Sequence, residues 1–323
     1  MQKMSFIAVM ASKPCSLLNQ LAIEEPDSLN GQIYEKSFRD FGIYFECIIQ
    51  HNNSENISQI DSDELYILCI GYSFHHSHLA NEAAARYLVH GLKGISSLDG
   101  YYQIIIIDKN KKRFFIGTDS AAIAPIYYAQ QNDAVFFSNS IKNLLLQKVF
   151  QPSFNKKVIV ELFRYSAVTP PDTLIKEISS LPSSYWLHYH QDNYFRIERV
   201  ESEPLFTSPI DLPEYHHVLQ QQIIPPIATS SSLGIMCSGG FDSSLMTSLL
   251  RSATDDPIPL FTLFYEQSDT AFANTRQLAE LYQANNNDYQ FKIDNPLTAI
   301  YESLWYVESE AVGTISGGVT FLL

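Results

Sequence analysis

The chain has 323 residues, of which 46% are hydrophobic and 17% charged, so it is large and apolar enough for two globular domains. Its formal net charge of −14 argues against a nucleic-acid partner, because a phosphate backbone repels an acidic surface. No apolar run approaches the ~20 residues that span a bilayer, and the N-terminal apolar run is too short for a signal peptide. Composition therefore predicts a cytoplasmic protein without a membrane or nucleic-acid partner. The four scattered cysteines are predicted to be reduced thiols: Cys15, Cys47, Cys69 and Cys237.

Strand signals dominate the first half of the chain. Two hairpins are predicted, one joining residues 101–107 to 113–117 and one joining 126–129 to 134–137. Residues 79–92 have helical spacing, with a stop at Gly91 or Gly94. Further strands are predicted over 6–10, 43–50, 65–70, 176–189 and 194–200. Strands joined by tight polar turns indicate an antiparallel sheet.

The pattern changes at residues 201–204, which we interpret as the linker between a first domain, 1–204, and a second, 205–323. A helix over 212–224 should end at Pro225–Pro226. Strands and helices then alternate over 259–265, 274–282, 289–293 and 297–307. Such alternation predicts a parallel α/β sheet with a ligand at the carboxyl ends of its strands.

The sequence between these two regions, Leu233 to Ser244, reads LGIMCSGGFDSS and is typical of a phosphate site. An apolar strand ends in two glycines, Gly239 and Gly240, that let the backbone approach a bound group closely. The helix that follows presents free N–H groups and the positive end of its dipole, which favour an anion. Asp242 can hold Mg²⁺, and hydroxyl donors come from Ser238, Ser243 and Ser244. The alternative is a plain Gly-Gly turn whose polar residues cap a helix.

SGGFDSS resembles the PP-loop of the ATP pyrophosphatases, which cleave ATP between its α- and β-phosphates and pass AMP to an acceptor. The resemblance implies ATP and Mg²⁺ as cofactors, with Asp242 as the metal ligand and the serines and glycines around pyrophosphate. It also implies that Met236 and Leu263 contact adenosine; the alternative is that both are ordinary core residues. The sequence assigns no catalytic residue.

A second resemblance extends from about residue 60 to the C-terminus. Short motifs stand in the order and spacing of the asparagine synthetase family, namely 98–101, 108–109, 118–119, 125–128, 137–142, 144–145, 172–175 and 181–182, with the PP-loop after them. This family implies an α+β domain followed by an α/β domain. The first would be a glutaminase-type αββα sandwich of the N-terminal-nucleophile (Ntn) class, and the second a parallel-sheet adenine-nucleotide domain. Asp119, within one of these motifs, is interpreted as a structural residue at a hairpin end.

Three departures from the family matter. The family's amidotransferases use an N-terminal cysteine, whereas Gln2 follows Met1 here and the alternative register places an internal serine, Ser5. Residues 70–75, IGYSFH, stand where the family has the NGEIYN of its glutamine pocket. Both departures predict an inactive glutaminase. The family also continues into a second phosphate motif, SGEGADE, which the sequence to Leu323 does not contain, so a C-terminally truncated synthetase domain is expected.

β-Lactam synthetases and lasso-peptide cyclases are similar in having lost the glutaminase while keeping the PP-loop. That similarity implies ATP-dependent amide formation through an acyl-adenylate, with a carboxylate substrate such as a peptide undergoing macrolactam cyclisation. One alternative is a non-catalytic or split-enzyme subunit that works with a separate C-terminal synthetase fragment. The other is a nucleic-acid-modifying PP-loop enzyme, which the acidic charge opposes.

Overall fold

The computed structural model describes residues 5–11, 21–23, 32–40, 43–51, 56–75, 78–190, 194–200, 211–228, 234–264, 270–290, 295 and 298. It divides the described residues into two compact units, one that extends to Val200 and one that begins at Asp211. Among the described residues, no helix has both the length and the apolar character needed to cross a bilayer.

The first unit is built on two six-stranded sheets in which every pairing is antiparallel. Its described strands are β1 (Ser5–Ala11), β2 (Gln32–Asp40), β3 (Ile43–His51), β4 (Ile57–Asp61), β5 (Leu65–Ser73), β6 (Gly100–Asp108), β7 (Arg113–Thr118), β8 (Tyr127–Gln131), β9 (Ala134–Ser138), β10 (Ser179–Ser180), β11 (Tyr185–His190) and β12 (Tyr194–Arg199). One sheet has the order β10-β8-β9-β1-β3-β2, and the other β12-β11-β7-β6-β5-β4.

Alternating side chains explain how these sheets pack. Along β1, Phe6, Ala8 and Met10 face the core between the two sheets, whereas Ile7 and Val9 face the opposite side. The described helices of this unit are α1 (Leu79–His90), α2 (Leu92–Ser96), α3 (Ile141–Leu146) and α4 (Val158–Tyr165). Helix α1 packs on the outer face of the second sheet, and α3 on the outer face of the first. These four layers agree with the αββα sandwich that the family resemblance implies.

The second unit contains a three-stranded parallel sheet in the order β13-β14-β15. Its described elements are α5 (Leu212–Ala228), β13 (Ile235–Met236), α6 (Phe241–Ala253), β14 (Pro259–Phe264), α7 (Thr270–Tyr282) and β15 (Asn285–Gln290). Leu250 of α6 and Ala279 of α7 pack with Ile235 and Leu260, so both helices contribute to one core against this sheet. Strand–helix alternation thus produces a parallel sheet, as predicted.

Several predicted elements differ from the structure. Helix α5 continues through Pro225–Pro226 to Ala228. The fixed φ of proline lies in the helical range, although each ring removes an N–H donor and crowds the carbonyl four residues earlier. Strand β15 begins at Asn285, four residues before the predicted start at 289, since parallel pairing with Pro259–Phe264 outweighs the low strand propensity of three asparagines. Residues 291–293 of the predicted strand lie outside the described residues. Strands β2 and β4 and helix α4 were not predicted. The predicted helix over 297–307 lies outside the described residues apart from Thr298.

The described cysteines agree with the prediction of reduced thiols. Cys47, Cys69 and Cys237 are free and buried, and burial raises the pKa of the Cys47 and Cys69 thiols. Cys15 lies outside the described residues.

Candidate functional site

The predicted phosphate loop joins β13 to α6. Cys237 N–H donates to the Phe261 carbonyl at 2.8 Å, which extends the parallel pairing with β14 one residue past the end of β13. Gly239 then turns the chain with φ +68°, in the left-handed region that favours glycine. Gly240 is the N-cap of α6 with an extended φ of −82°. The predicted strand, glycine turn and helix are therefore confirmed as local structure.

The serine hydroxyls of this loop bond to the loop itself. Ser238 N–H donates to Ser243 Oγ at 3.3 Å, and Gly240 N–H donates to Ser238 Oγ at 3.4 Å. Ser244 Oγ–H donates to the Gly240 carbonyl at 2.7 Å. The two N–H bonds are close to the upper distance limit for a hydrogen bond and are correspondingly weak. In this conformation two N–H groups that were predicted to bind phosphate already have partners, so an anion would have to replace them.

The start of α6 keeps the features of an anion site. The N–H groups of its first turn lack intrahelical acceptors, as in any α-helix, and the helix dipole places partial positive charge there. Asp242 lies in that first turn and is exposed. The described residues contain no cluster of three or more metal-ligating side chains. A single carboxylate nevertheless fits Mg²⁺ held jointly with nucleotide phosphates, since that ion commonly takes one or two carboxylates and completes its shell with phosphate oxygens and water.

One face of the parallel sheet carries the two residues predicted to contact adenosine. Met236 is 54% exposed and pairs with Phe261, while the half-buried Leu263 pairs with Tyr289. Paired residues in a sheet share a face, so these four side chains lie together. The exposure of Met236 argues against the alternative that it is an ordinary core residue. Sequence reasoning missed Phe261 and Tyr289, although strand alternation from Leu263 would have found the first.

This face is tightly packed near the loop. A Cβ on Gly234 would lie 2.4 Å from Cε2 of the Phe261 ring, so the ring covers the backbone of Gly234. The Phe261 ring stacks on Tyr289 with centroids 6.4 Å apart and planes 18° apart. An apolar, partly exposed surface therefore lies on the strands that lead into the phosphate loop.

Asn274 of α7 was not predicted as a site residue. Its side-chain Nδ2 donates to the carbonyl oxygen of Gly239 at 3.3 Å, which links α7 to the loop across 35 positions of sequence. No local pattern around Asn274 signals this contact, because it depends on how α7 packs beside α6.

Ser5, the internal serine of the alternative register, lies at the start of β1. Ser5 Oγ accepts a hydrogen bond of 2.7 Å from Nδ2 of Asn143, a fully buried residue of α3. The neighbouring Phe6 N–H donates to Asn139 Oδ1 at 3.0 Å. Ser5 is thus held in a side-chain network that ties β1 to the segment around α3.

Residues 70–75, interpreted from the sequence as the position of the family's glutamine pocket, are shaped by one glycine, Gly71, and by two stacked tyrosines. Gly71 has φ +125°, and a Cβ there would lie 2.1 Å from the Tyr101 carbonyl oxygen, so the backbones of β5 and β6 approach closely. Tyr72 is 45% exposed and stacks on Tyr101 with ring centroids 6.1 Å apart. His75 pairs with Asp99 at 3.6 Å. An aromatic pair thus joins this segment, through Tyr72, to Tyr101 of the neighbouring strand β6.

Asp119 has the structural role predicted for it. The side chain is 2% exposed, and its carboxylate accepts hydrogen bonds from the N–H groups of Ala121, Ile123 and Ala124 at 2.9–3.1 Å. Thr118 Oγ1 bonds to the same carboxylate at 3.3 Å. Asp119 therefore closes the loop between β7 and β8.

Comparison with known proteins agrees with the two units. Residues 78–199 match the glutamine amidotransferase domain family, and residues 214–323 match the asparagine synthase family. The chain is 23% identical over 320 residues to the glutamine-hydrolysing asparagine synthetase of Sandersonia aurantiaca, covering 96% of this chain and 54% of that protein. It is 22% identical over 325 residues to asparagine synthetase 2 of Oryza sativa subsp. japonica, covering 96% of this chain and 48% of that protein. The chain therefore spans about half the length of these relatives.

The solved structures include a glutamine phosphoribosylpyrophosphate amidotransferase of B. subtilis, which is 10% identical to this chain and superimposes with a TM-score of 0.32. The alignment covers 78% of this chain and 53% of that protein. A TM-score this low carries no structural argument. The two domain matches lie in the order amidotransferase then synthase, one in each compact unit, and the synthetase relatives align across both. The chain belongs to the asparagine synthetase family.

Proposed function

We propose that this chain uses ATP to activate a carboxylate as an acyl-adenylate, from which an amine then forms an amide. The observation that supports the proposal best is the loop itself, with Gly239 in the left-handed conformation and Asp242 exposed in the first turn of α6. A helix start of this kind binds the phosphates of a nucleotide. Mg²⁺, when bound, would neutralise phosphate charge and stabilise the departing pyrophosphate.

The proposed roles follow from position. The N–H groups of the first turn of α6, with Ser238, Gly239, Gly240, Ser243 and Ser244, hold the β- and γ-phosphates, while Met236 and Leu263 contact adenosine. A carboxylate oxygen of the substrate attacks the α-phosphorus and pyrophosphate leaves. The amine nitrogen then attacks the acyl carbon, loses a proton, and AMP leaves. A peptide that carries both the carboxylate and the amine would be cyclised to a macrolactam, because proximity makes the second step effectively unimolecular.

Replacing Asp242 with asparagine is expected to weaken binding of ATP in the presence of Mg²⁺ about tenfold, since the side chain keeps its shape but loses the charge that a hard cation requires. In excess chelator the variant should bind ATP at least as tightly as wild type, because it lacks the carboxylate that repels the phosphates when no cation lies between them. Titration calorimetry with and without Mg²⁺ makes the comparison, and Asp255→Asn serves as an exposed control beyond α6. Equal Mg²⁺ dependence in wild type and Asp242→Asn would refute the metal assignment.

A second candidate, the alternative left open by the sequence, is a subunit that works with a separate synthetase fragment. Carboxylate-dependent exchange of pyrophosphate into ATP separates the two candidates. Exchange by this chain alone supports a self-sufficient enzyme. Exchange that requires an added polypeptide carrying the SGEGADE segment supports the subunit.

We also propose that the amidotransferase unit does not hydrolyse glutamine. Ser5 follows Met4 in the chain and its hydroxyl accepts a bond from Asn143, while Tyr72 and Tyr101 stack beside the former pocket segment. Incubation with glutamine is expected to release no glutamate above a heat-inactivated control. Glutamate release that disappears in a Ser5→Ala variant would refute the proposal.

A further inference from the structure

The contact between Asn274 and the phosphate loop carries an inference beyond the roles above. The Gly239 carbonyl accepts the Asn274 amide N–H, and the next N–H along the chain, that of Gly240, donates to Ser238 Oγ. The Gly239 carbonyl and the Gly240 N–H belong to the same peptide unit. Because a peptide unit is planar, its carbonyl and N–H point in opposite directions and cannot turn independently. Asn274 therefore sets the direction of the Gly240 N–H.

This restraint matters because the glycines on both sides leave the peptide unit otherwise free to turn. Gly239 has φ +68° and Gly240 φ −82°, and glycine residues cross between such conformations without a side-chain clash. The Gly240 N–H bond to Ser238 Oγ is 3.4 Å long, so that bond alone holds the plane weakly. When an anion takes the Gly240 N–H, the bond to Asn274 is the one that remains.

Asn274 lies on a helix that is itself well held. The next residue, Thr275, is fully buried, and Arg276 pairs with Asp288 of β15 at 2.8 Å. The Arg276 guanidinium also lies 4.5 Å from the centroid of the Phe272 ring. The side chain of Asn274 is exposed, so removing it opens no cavity. It can therefore orient the loop without being needed for folding.

We propose that Asn274 is a positioning residue that orients the Gly239–Gly240 peptide for the polyphosphate of the nucleotide, and so favours ligands with a pyrophosphate group over those with one phosphate. This inference rests on the proposed function, because it assumes that the loop binds ATP. A purely structural role would weaken all ligands together, whereas an orienting role weakens only those that use the Gly240 N–H.

The test compares Asn274→Ala with Gln277→Ala, an exposed residue of the same helix, for binding of ATP, inorganic pyrophosphate and AMP, all with Mg²⁺. We expect Asn274→Ala to weaken ATP and pyrophosphate about fivefold and to leave AMP unchanged, since one hydrogen bond is lost. Asn274→Asp should weaken both polyphosphates further, because a carboxylate faces the Gly239 carbonyl and repels the anion. Gln277→Ala should match wild type.

Equal weakening of AMP and ATP, or no change in either, would overturn the proposal. Thermal unfolding of each variant identifies a fold defect, and Asn274→Gln, which keeps an amide donor long enough to reach the Gly239 carbonyl, should then recover part of the affinity for pyrophosphate. If wild type binds neither ATP nor pyrophosphate, the proposed function fails first and this inference with it. If wild type binds both and the variants do not discriminate, only the role of Asn274 is lost.

Discussion

Replacing Gly239 with valine is expected to weaken binding of ATP with Mg²⁺ about 30-fold. Gly239 has φ +68°, a conformation that costs a non-glycine residue ~1–2 kcal/mol and a β-branched residue more. The variant loop relieves this strain by moving Gly239 to negative φ, which turns the Gly240 N–H away from the anion. Binding must then restore the strained conformation, and about 2 kcal/mol of that cost corresponds to about 30-fold in affinity.

A matched control exists in the other unit. Gly91, between α1 and α2, has φ +64°, and a Cβ placed there meets no atom within 4 Å. Gly91→Ala and Gly239→Ala both place a side chain at a positive φ, but only the second lies in the proposed binding site. Calorimetric titration should show weaker nucleotide binding for Gly239→Ala alone, while both lower stability slightly. If Gly239→Val binds ATP as tightly as wild type, the loop does not bind its phosphates.

Replacing Asp119 with alanine is expected to destabilise the first unit by about 3–5 kcal/mol. The carboxylate is buried and accepts bonds from three backbone N–H groups, and each buried donor left without a partner costs about 1–3 kcal/mol. The loss is smaller than three times that cost, because water can bond to the freed N–H groups once the loop opens. Thermal or urea unfolding of the full chain, followed by circular dichroism, measures the loss.

Asp119→Asn is the control for this change, because it keeps the side-chain volume and one carbonyl acceptor. It should cost less than half as much as Asp119→Ala. If the two variants are equally unstable, both carboxylate oxygens are needed, since Oδ1 accepts the N–H groups of Ala121 and Ile123 and Oδ2 accepts that of Ala124. If Asp119→Ala unfolds like wild type, Asp119 does not hold the β7–β8 loop.

The features that sequence reasoning recovered are those set by short stretches. A glycine turn between an apolar strand and a helix depends on neighbouring residues, so the geometry of residues 235–253 could be predicted without tertiary information. The hairpins β6–β7 and β8–β9 were predicted for the same reason, since a tight polar turn brings its own flanking strands together. The turn at Gly91, with its positive φ, is a third local feature of this kind.

Where predictions failed, competing interactions came from distant parts of the chain. β15 contains Asn285, Asn286 and Asn287, which disfavour a strand, yet pairing with β14 imposes one. Ser5 bonds to Asn143 across 138 positions of sequence, so its position in a network rather than at a free site was not visible locally. Long-range contacts decided both cases.

The sequence by itself determined that this chain carries a glycine turn between a strand and a helix, as well as antiparallel hairpins, and its motif order identified the family. Only the tertiary structure decided which groups surround the loop. Asn274 reaches it from α7, and the hydroxyl oxygens of Ser238 and Ser243 accept hydrogen bonds from two of its N–H groups. Met236 lies exposed beside Phe261. The physical reason is that turn conformation depends on backbone sterics within a few residues, whereas the direction of a donor depends on what packs against it.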